Sequence, residues 1–220
     1  MQTDVNSLSI LLSKQLNNFF TVNIPENFGM YIELAQKQTL RAAACQNAFR
    51  NINEINPCHT TQWTFFLYYL SHIVGTENEN RIDLADQIYY LNKIMHSDDW
   101  YWAIHLPEIC WAEHPIGSIL GRAQYGNYFF IYQGCTVGGN YKESKIQYPS
   151  FGHHVVMFAN SMVIGDSHVG NNVMISAKTY LKDQDIPDNC IVFGQSPNLK
   201  IIQKTEAEML SKMKHIWRTL

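Results

Sequence analysis

The stretch MFANSMVIGDSHVGNNVMISAKTYL, residues 157–181, decides the fold. Within it Met157, Val163, Val169, Ile175 and Leu181 recur at every sixth position, and upstream Ile119, Tyr125, Ile131 and Val137 keep the same step. Alternation every two residues would describe an ordinary strand. A sustained period of six describes a hexapeptide β-helix, in which each hexad supplies one flat face and one corner and three hexads close a triangular coil. The apolar residue is expected to point into the prism. Small residues two places earlier (Ala123, Cys135, Ser161, Ser167, Thr179) let the corner turn tightly, and Gly126, Gly138 and Gly170 directly follow their apolar residues. Such coils bury their apolar residues by stacking on one another. A β-sandwich with coincidental spacing is the competing architecture.

The rhythm breaks after Gly138-Gly139 and resumes at Phe151. The polar run from Asn140 to Tyr148 reads as a loop ejected from the solenoid, and loops of this kind often carry function. Before residue 100 the period changes to three and four: Leu8, Leu11, Leu12; Met30, Ile32, Leu34; Ile82, Leu84, Ile88, Leu91, Ile94. Glycine is confined there to Gly29 and Gly75, with breaks at Asn56-Pro57 and after Gly75, so four or five packed helices are expected. The span from Cys58 to Thr76 lacks charge but holds Thr, Gln, Ser and two histidines, which makes it a buried helix capped by Thr60 or Thr61 rather than a bilayer span. After Ile202 a stripe of Met209, Leu210, Met213, Ile216, Trp217 and Leu220 marks a last helix packed on the body or on a neighbouring subunit. The expected class is α+β: an α-helical domain over 1–99, a parallel β-helix over 100–202 and a C-terminal helix over 203–220.

Composition narrows the function. In 220 residues, 46% apolar content supports a real core, and a net charge of −3 gives no field that would gather nucleic acid. Charged residues make up only 16%, against roughly 25% in an average soluble protein, which suggests surface lost to an oligomer interface. Five widely spaced cysteines without a CxxC fit reduced thiols in a cytoplasm better than a disulfide framework or zinc ribbon. The opening MQTDVNSLSILLSKQ carries Asp4 and lacks a basic stretch before its short apolar run, so it does not read as a signal peptide. Cytoplasmic location, no membrane span and no nucleic-acid partner are the expectations.

Of nine histidines, His59, His72, His96 and His215 fall on or beside helices and read as structural polar residues. His105 and His168 are ambiguous, and the pair His153-His154 is placed on a face, with one member pointing inward or across an interface. Zinc on a β-helix needs three clustered histidines, and the separations here do not supply them, so no metal is expected. His114 differs. It is preceded by Glu113 and followed by Pro115, and a histidine projecting from a corner beside a carboxylate suits general-base chemistry near neutral pH.

The runs Glu113-His-Pro-Ile-Gly-Ser-Ile-Leu-Gly121 and Tyr132-Gln-Gly-Cys-Thr-Val-Gly-Gly139 resemble the serine O-acetyltransferase family of hexapeptide acyltransferases, whose members read Asp-His-Ala-Thr-Gly and then Gln-x-Val-Thr-Leu-Gly-Gly. The loop from Gly139 to Pro149 has the family's usual length. Val163-Ile-Gly and Phe193-Gly-Gln-Ser-Pro-Asn-Leu match the late coils loosely, and over 1–98 the likeness is only architectural. The resemblance implies a left-handed β-helix, a homotrimer or dimer of trimers, and acetyl-CoA as co-substrate. It implies that His114 takes a proton from the acceptor hydroxyl, that Asp99 (or its neighbour Asp98) pairs with His114, and that Glu113 meets the acceptor. By the same likeness Gly138, Gly139, Ala159 and Ala177 lie along the pantetheine arm, with Lys178, Lys182 and Lys200 near the phosphates.

Two departures stand out. Where the family has an Arg-His pair closing the loop, this chain has Gln147 and Tyr148, so a bidentate grip on an acceptor carboxylate is missing there. The ending Trp217-Arg-Thr-Leu220 also lacks the family's partner-docking tail. The resulting expectation is an acetyl-CoA-dependent O-acetyltransferase whose acceptor is a sugar or sugar nucleotide of surface polysaccharide, contacted by Glu113, Gln147 and Tyr148. The alternative is serine itself, in cysteine biosynthesis. Metal-dependent hydration or lyase chemistry on the same prism, and a non-catalytic assembly role, are the rival classes.

Overall fold

The computed structural model describes residues 4–49, 51–77 and 81–218; Leu220, the end of the expected C-terminal stripe, lies outside them. Four helices come first: α1 (Val5–Asn17), α2 (Phe28–Ala44), α3 (Thr60–Glu77) and α4 (Ile82–His96). Asp4 caps α1 by accepting from the Ser7 amide, and Leu8, Leu12 and Leu16 form its buried stripe. In α3, every residue from Thr61 to Ser71 is buried, because the helix lies between α2 and α4 and faces the β-helix as well. No helix among the described residues is long and apolar enough to cross a membrane.

The chain then winds into a parallel β-helix with three stacks of strands. One face stacks β2 (Cys110–Ala112), β5 (Phe129–Ile131), β10 (Val155–Met157), β13 (Val173–Ile175) and β15 (Cys190–Gln195). The next stacks β1 (Asp99–Trp100), β3 (Ile119–Leu120), β6 (Thr136–Gly138), β11 (Met162–Ile164) and β14 (Tyr180–Lys182). The third holds β4 (Gln124–Tyr125), β9 (Ser150–Phe151) and β12 (His168–Val169). Leu120, Val137, Val163 and Leu181 form one buried column in the prism, and Ile131, Met157 and Ile175 another.

Ile119 does not point inward as its six-residue spacing implied. It pairs with Thr136 on the outer row and is 44% exposed, while Leu120 fills the interior. The step from Leu120 to Tyr125 is one residue short of a hexad, which shifts the phase at this coil. His153 and His154 lie in the corner joining β9 to β10 rather than on a face. His153 Nδ1 accepts from the Asn127 amide, and the His154 ring meets that of Tyr128 at 4.6 Å, tilted by 35°. At that corner Gly126, Gly152 and Gly170 stack so closely that a Cβ on Gly126 would lie 2.3 Å from the Gly152 carbonyl oxygen.

The ejected loop is a two-stranded hairpin, β7 (Asn140–Lys142) and β8 (Lys145–Gln147), closed by Glu143 and Ser144 with φ of 48° and 67°. β15 pairs antiparallel with β16 (Asn198–Gln203), and α5 (Glu206–Met213) begins at a Thr205–Glu208 capping box. The helix stops earlier than the apolar stripe suggested: Ile216 and Trp217 are buried from an irregular segment beyond it. That segment returns to the helical half, where Asn47 N donates to Ile216 O and Arg218 N to Cys45 O. All five cysteines are free thiols.

Candidate active-site cleft

The corner between β2 and β3 is six residues long (113–118), whereas the equivalent corners above it have four: 132–135, 158–161 and 176–179. The two additional residues push out the turn that carries His114, which has φ of 50° and a side chain 77% exposed. Backbone held at positive φ outside glycine is costly and clusters at functional positions. The turn is pinned at its far end. Ser118 N and Oγ donate to Asp98 Oδ1 at 3.3 and 2.9 Å, and Trp100 Nε1 donates to Ser118 Oγ at 2.9 Å.

His114 and Glu113 stand at a cleft of about 270 Å³ between the β2–β5 face, the helical half and the C-terminal segment. Trp111, Phe130 and Phe49 form apolar walls; Gln46, His59, Thr61, Tyr132 and His215 supply polar groups. Glu113 Oε1 lies 4.0 Å from His114 Nε2. Tyr132 lies beside Glu113, and burial together with that carboxylate's charge pushes the phenol up to about 12. The imidazole is thus an exposed base beside a carboxylate, over a half-apolar cavity, which is an arrangement able to take a proton from a bound hydroxyl.

The other expected site residues separate into two groups. Asp99 does not touch His114 within the chain: its carboxylate accepts from Lys93 Nζ at 2.8 Å and Tyr89 OH at 2.5 Å. Burial works to raise its pKa, but those two bonds hold it below the ordinary carboxylate range. Asp98 is buried on Ser118 and Thr64. Ala159 and Ala177 occupy the corners stacked above that of His114, with Lys178 beside Ala177 at φ 62°. Gly138 lies on the opposite edge of the β3–β6–β11–β14 face, in register with Ile164 and, beyond it, Lys182. Gly139 lies under the hairpin, where a Cβ would meet Ile146 and Tyr148 at 2.7 Å. Gln147 and Tyr148 are therefore loop residues packed at that edge, and neither lines the cleft. Lys200 lies in β16, paired with Phe193. Sequence reasoning missed Gln46, Thr61 and His215 as cleft residues and took His59 for a structural group. Nothing local marks them, because the fold brings them to His114 from three distant segments.

No family model matches the chain. In sequence it is 31% identical over 106 residues to a serine acetyltransferase of Synechococcus elongatus, covering 48% of this chain and 43% of that protein. It is 32% identical over 127 residues to one of Staphylococcus epidermidis, covering 56% and 59%. The chain thus spans about half the length of these relatives. In structure it superposes on a serine acetyltransferase solved in complex with cysteine, with a TM-score of 0.69 at 21% identity over 94% of this chain and 82% of the other. One solved in complex with CoA gives 0.67 at 18% identity, covering 92% and 86%. The fold is that of serine O-acetyltransferase-like hexapeptide-repeat proteins.

Proposed function

We propose that this protein is an acetyl-CoA-dependent O-acetyltransferase that acts on the hydroxyl of a small acceptor, with serine as the acceptor favoured by its relatives. The observation that carries this reading is His114, exposed on a lengthened corner beside Glu113 at the mouth of the cleft. As the acceptor oxygen attacks the thioester carbonyl, the proton of its hydroxyl passes to His114. The tetrahedral intermediate collapses, the C–S bond breaks, and the departing CoA thiolate takes that proton back from the imidazolium. Backbone amides near Gly138 and Gly139, which lie on the edge opposite this chain's own His114, are candidates for holding the oxyanion at the His114 of a neighbouring subunit. Glu113, beside Tyr132, is suited to an acceptor ammonium group. Asp99 is assigned the orientation of His114.

For acetyl-CoA, the small residues Ala159 and Ala177 leave an edge open to the pantetheine arm with Lys178 beside it, while Lys182 lies with Gly138 on the opposite edge of that face. Gly138 and Gly139 fit the same role on the other side of that face, where a neighbouring prism in a homotrimer or dimer of trimers would lie. The location that goes with this reading is the cytoplasm.

A sugar or sugar-nucleotide acceptor is the second reading. It is favoured by Gln147 and Tyr148 standing where the related enzymes carry an Arg-His pair. Acetyl transfer assayed against serine and a panel of sugars separates the two: saturable acetylation of serine supports the first, and transfer to a sugar alone supports the second.

A further inference from the structure

The third stack of strands lies across the prism from the corner that carries His114, and its outer row holds Gln124, Ser150 and His168 in register. Phe151 and Val169, the next residues along, turn inward and are buried, so Ser150 and His168 point away from the core. Ser150 Oγ lies 2.7 Å from His168 Nδ1. The other ring nitrogen, Nε2, is 3.6 Å from Asp166 Oδ1, within ion-pair range. A serine, a histidine and an aspartate thus stand in line with the imidazole in the middle, and the acetyl-transfer site uses none of them.

The surroundings fix the roles. Lys142 Nζ, from the hairpin, donates to Asp166 Oδ2 at 2.9 Å, and that bond, then the lysine's charge, holds the carboxyl below the ordinary carboxylate range. An ionised carboxylate beside Nε2 favours the proton on that nitrogen, which leaves Nδ1 to accept from the Ser150 hydroxyl. The next coil pins both partners from above: Asp166 N donates to Asp183 Oδ1 at 2.9 Å, and His168 N to Asp185 Oδ1 at 3.3 Å. The serine–histidine contact is not what joins β9 to its neighbour coil, because backbone bonds from Ser150 N to Ser167 O and from Gly152 N to Val169 O already do so. The His168 side chain is 59% exposed, so a small reagent reaches the pair from solvent.

We propose that Ser150 is an activated nucleophile and a site of covalent acylation by acyl thioesters. Its oxygen attacks the carbonyl carbon of the donor while its proton passes to His168 Nδ1, and Asp166 offsets the charge of the imidazolium. The tetrahedral intermediate collapses, the C–S bond breaks, and the departing thiolate takes the proton from His168. The products are an ester on Ser150 and a free thiol, with no change of oxidation state. A hydroxyl activated by a histidine that a carboxylate orients is recognised by geometry and roles, on any fold. The inference stands apart from acetyl transfer at His114, which lies on a different corner of the prism.

The test incubates the full chain with acetyl-CoA, and separately with p-nitrophenyl acetate, in the absence of any acceptor, and follows acetylated peptides over time by mass spectrometry. Both donors are expected to place one acetyl group on Ser150, ahead of the surface lysines. Ser150→Ala removes that label, and His114→Ala leaves it unchanged. His168→Gln keeps a polar group that can meet the hydroxyl but removes the base, and is expected to slow the labelling by about 10²-fold or more, the usual range for general-base catalysis. Asp166→Asn is expected to slow it less, because the base remains. Labelling of Ser150 at the wild-type rate in His168→Gln, or of lysines alone, overturns the proposal and makes the contact a surface tie between coils. Labelling by the aryl ester without acetyl-CoA overturns the thioester as donor. Loss of the label in His114→Ala overturns the independence of the two sites. Transfer to serine or a sugar is measured on the same samples, so a failure at Ser150 leaves the proposed acetyltransferase activity standing.

Discussion

Tyr132, on the coil above, lies close enough to Glu113 for the carboxylate's charge to raise the phenol's pKa, so the carboxylate next to His114 meets a partner from outside its own turn. This contact orients the anion proposed to receive the acceptor's ammonium group. Tyr132→Phe keeps the ring, which stacks on Phe158 at 5.2 Å, and removes only the hydroxyl. A hydroxyl that meets a charged group contributes at most the ~1.5–3 kcal/mol of a hydrogen bond to it, of which a mobile, exposed carboxylate recovers part from water. The expected outcome is a rise of about 3–10-fold in acceptor KM with kcat nearly retained. Steady-state kinetics at saturating acetyl-CoA check it, and a fall in kcat alone would place Tyr132 elsewhere in the reaction.

His114→Ala is expected to lower turnover by about 10²–10⁴, the usual contribution of a general base. The side chain is 77% exposed, so the melting temperature and CoA affinity are expected to stay close to wild type. Activity within a few-fold of wild type would take His114 out of the mechanism.

Asp99→Asn is expected to lower kcat in the same direction but less severely, because the base itself remains. The carboxylate has a second employment in the chain, its bonds to Lys93 and Tyr89. Lys93→Met separates the two roles. If it reproduces the Asp99→Asn defect, the carboxylate matters through that ion pair; if it leaves kcat intact while Asp99→Asn does not, the carboxylate acts on His114 in the assembled protein.

The six-residue period made the β-helix legible because stacked coils demand an apolar side chain at each face. It misplaced Ile119 because one step, Leu120 to Tyr125, is short and the preceding corner is long, and period alone cannot register such compensating changes. His114 was legible from its neighbours Glu113 and Pro115. Its surroundings were not: Gln46 follows the end of α2, His59 precedes α3, and His215 follows α5, so only tertiary contact unites them. Trp217 read as a helical stripe residue because burial every three or four positions looks the same whether or not the last turn is helical.

The pH dependence of stability turns on Asp98, which is 1% exposed. Burial outweighs its bonds from Ser118 and Thr64 and pushes its carboxyl up to about 7. An acid whose pKa is higher in the folded state holds its proton more tightly there, so stability is lost as pH rises from about 4 to about 7 and levels off above. Asp98→Asn keeps an acceptor for Ser118 and removes this titration. Its stability relative to wild type is expected to grow across that window, by about 4 kcal/mol at most. His96 works in the opposite sense: burial pushes it down to about 4, so its contribution is lost as pH falls from 6.5 toward 4. The difference between variant and wild type cancels that effect. Urea unfolding at pH 5, 6, 7 and 8 measures it, and a flat difference would mean that Asp98 does not titrate in this range.

Trp217 ties the end of the chain to the cleft wall. Its ring meets Phe130 edge-on at 5.7 Å and Tyr128 at 5.3 Å, and its carbonyl accepts from Asn47 Nδ2 at 3.2 Å. Ile216 and His215, one and two residues earlier, line the cleft directly. Removing the ring leaves a cavity between the C-terminal segment and β5, so Trp217→Ala is expected to cost about 3–5 kcal/mol in urea unfolding. The indole Nε1 is itself buried without an acceptor. Trp217→Phe therefore removes an unpaired donor along with some volume, and is expected to cost much less than the alanine variant. Because the wall loosens while the His114 corner is untouched, both variants are expected to raise acceptor KM in the order Ala above Phe, with the KM for acetyl-CoA unchanged. Equal loss of acetyl-CoA and acceptor affinity would mean that the segment supports the whole β-helix rather than the acceptor side of the cleft.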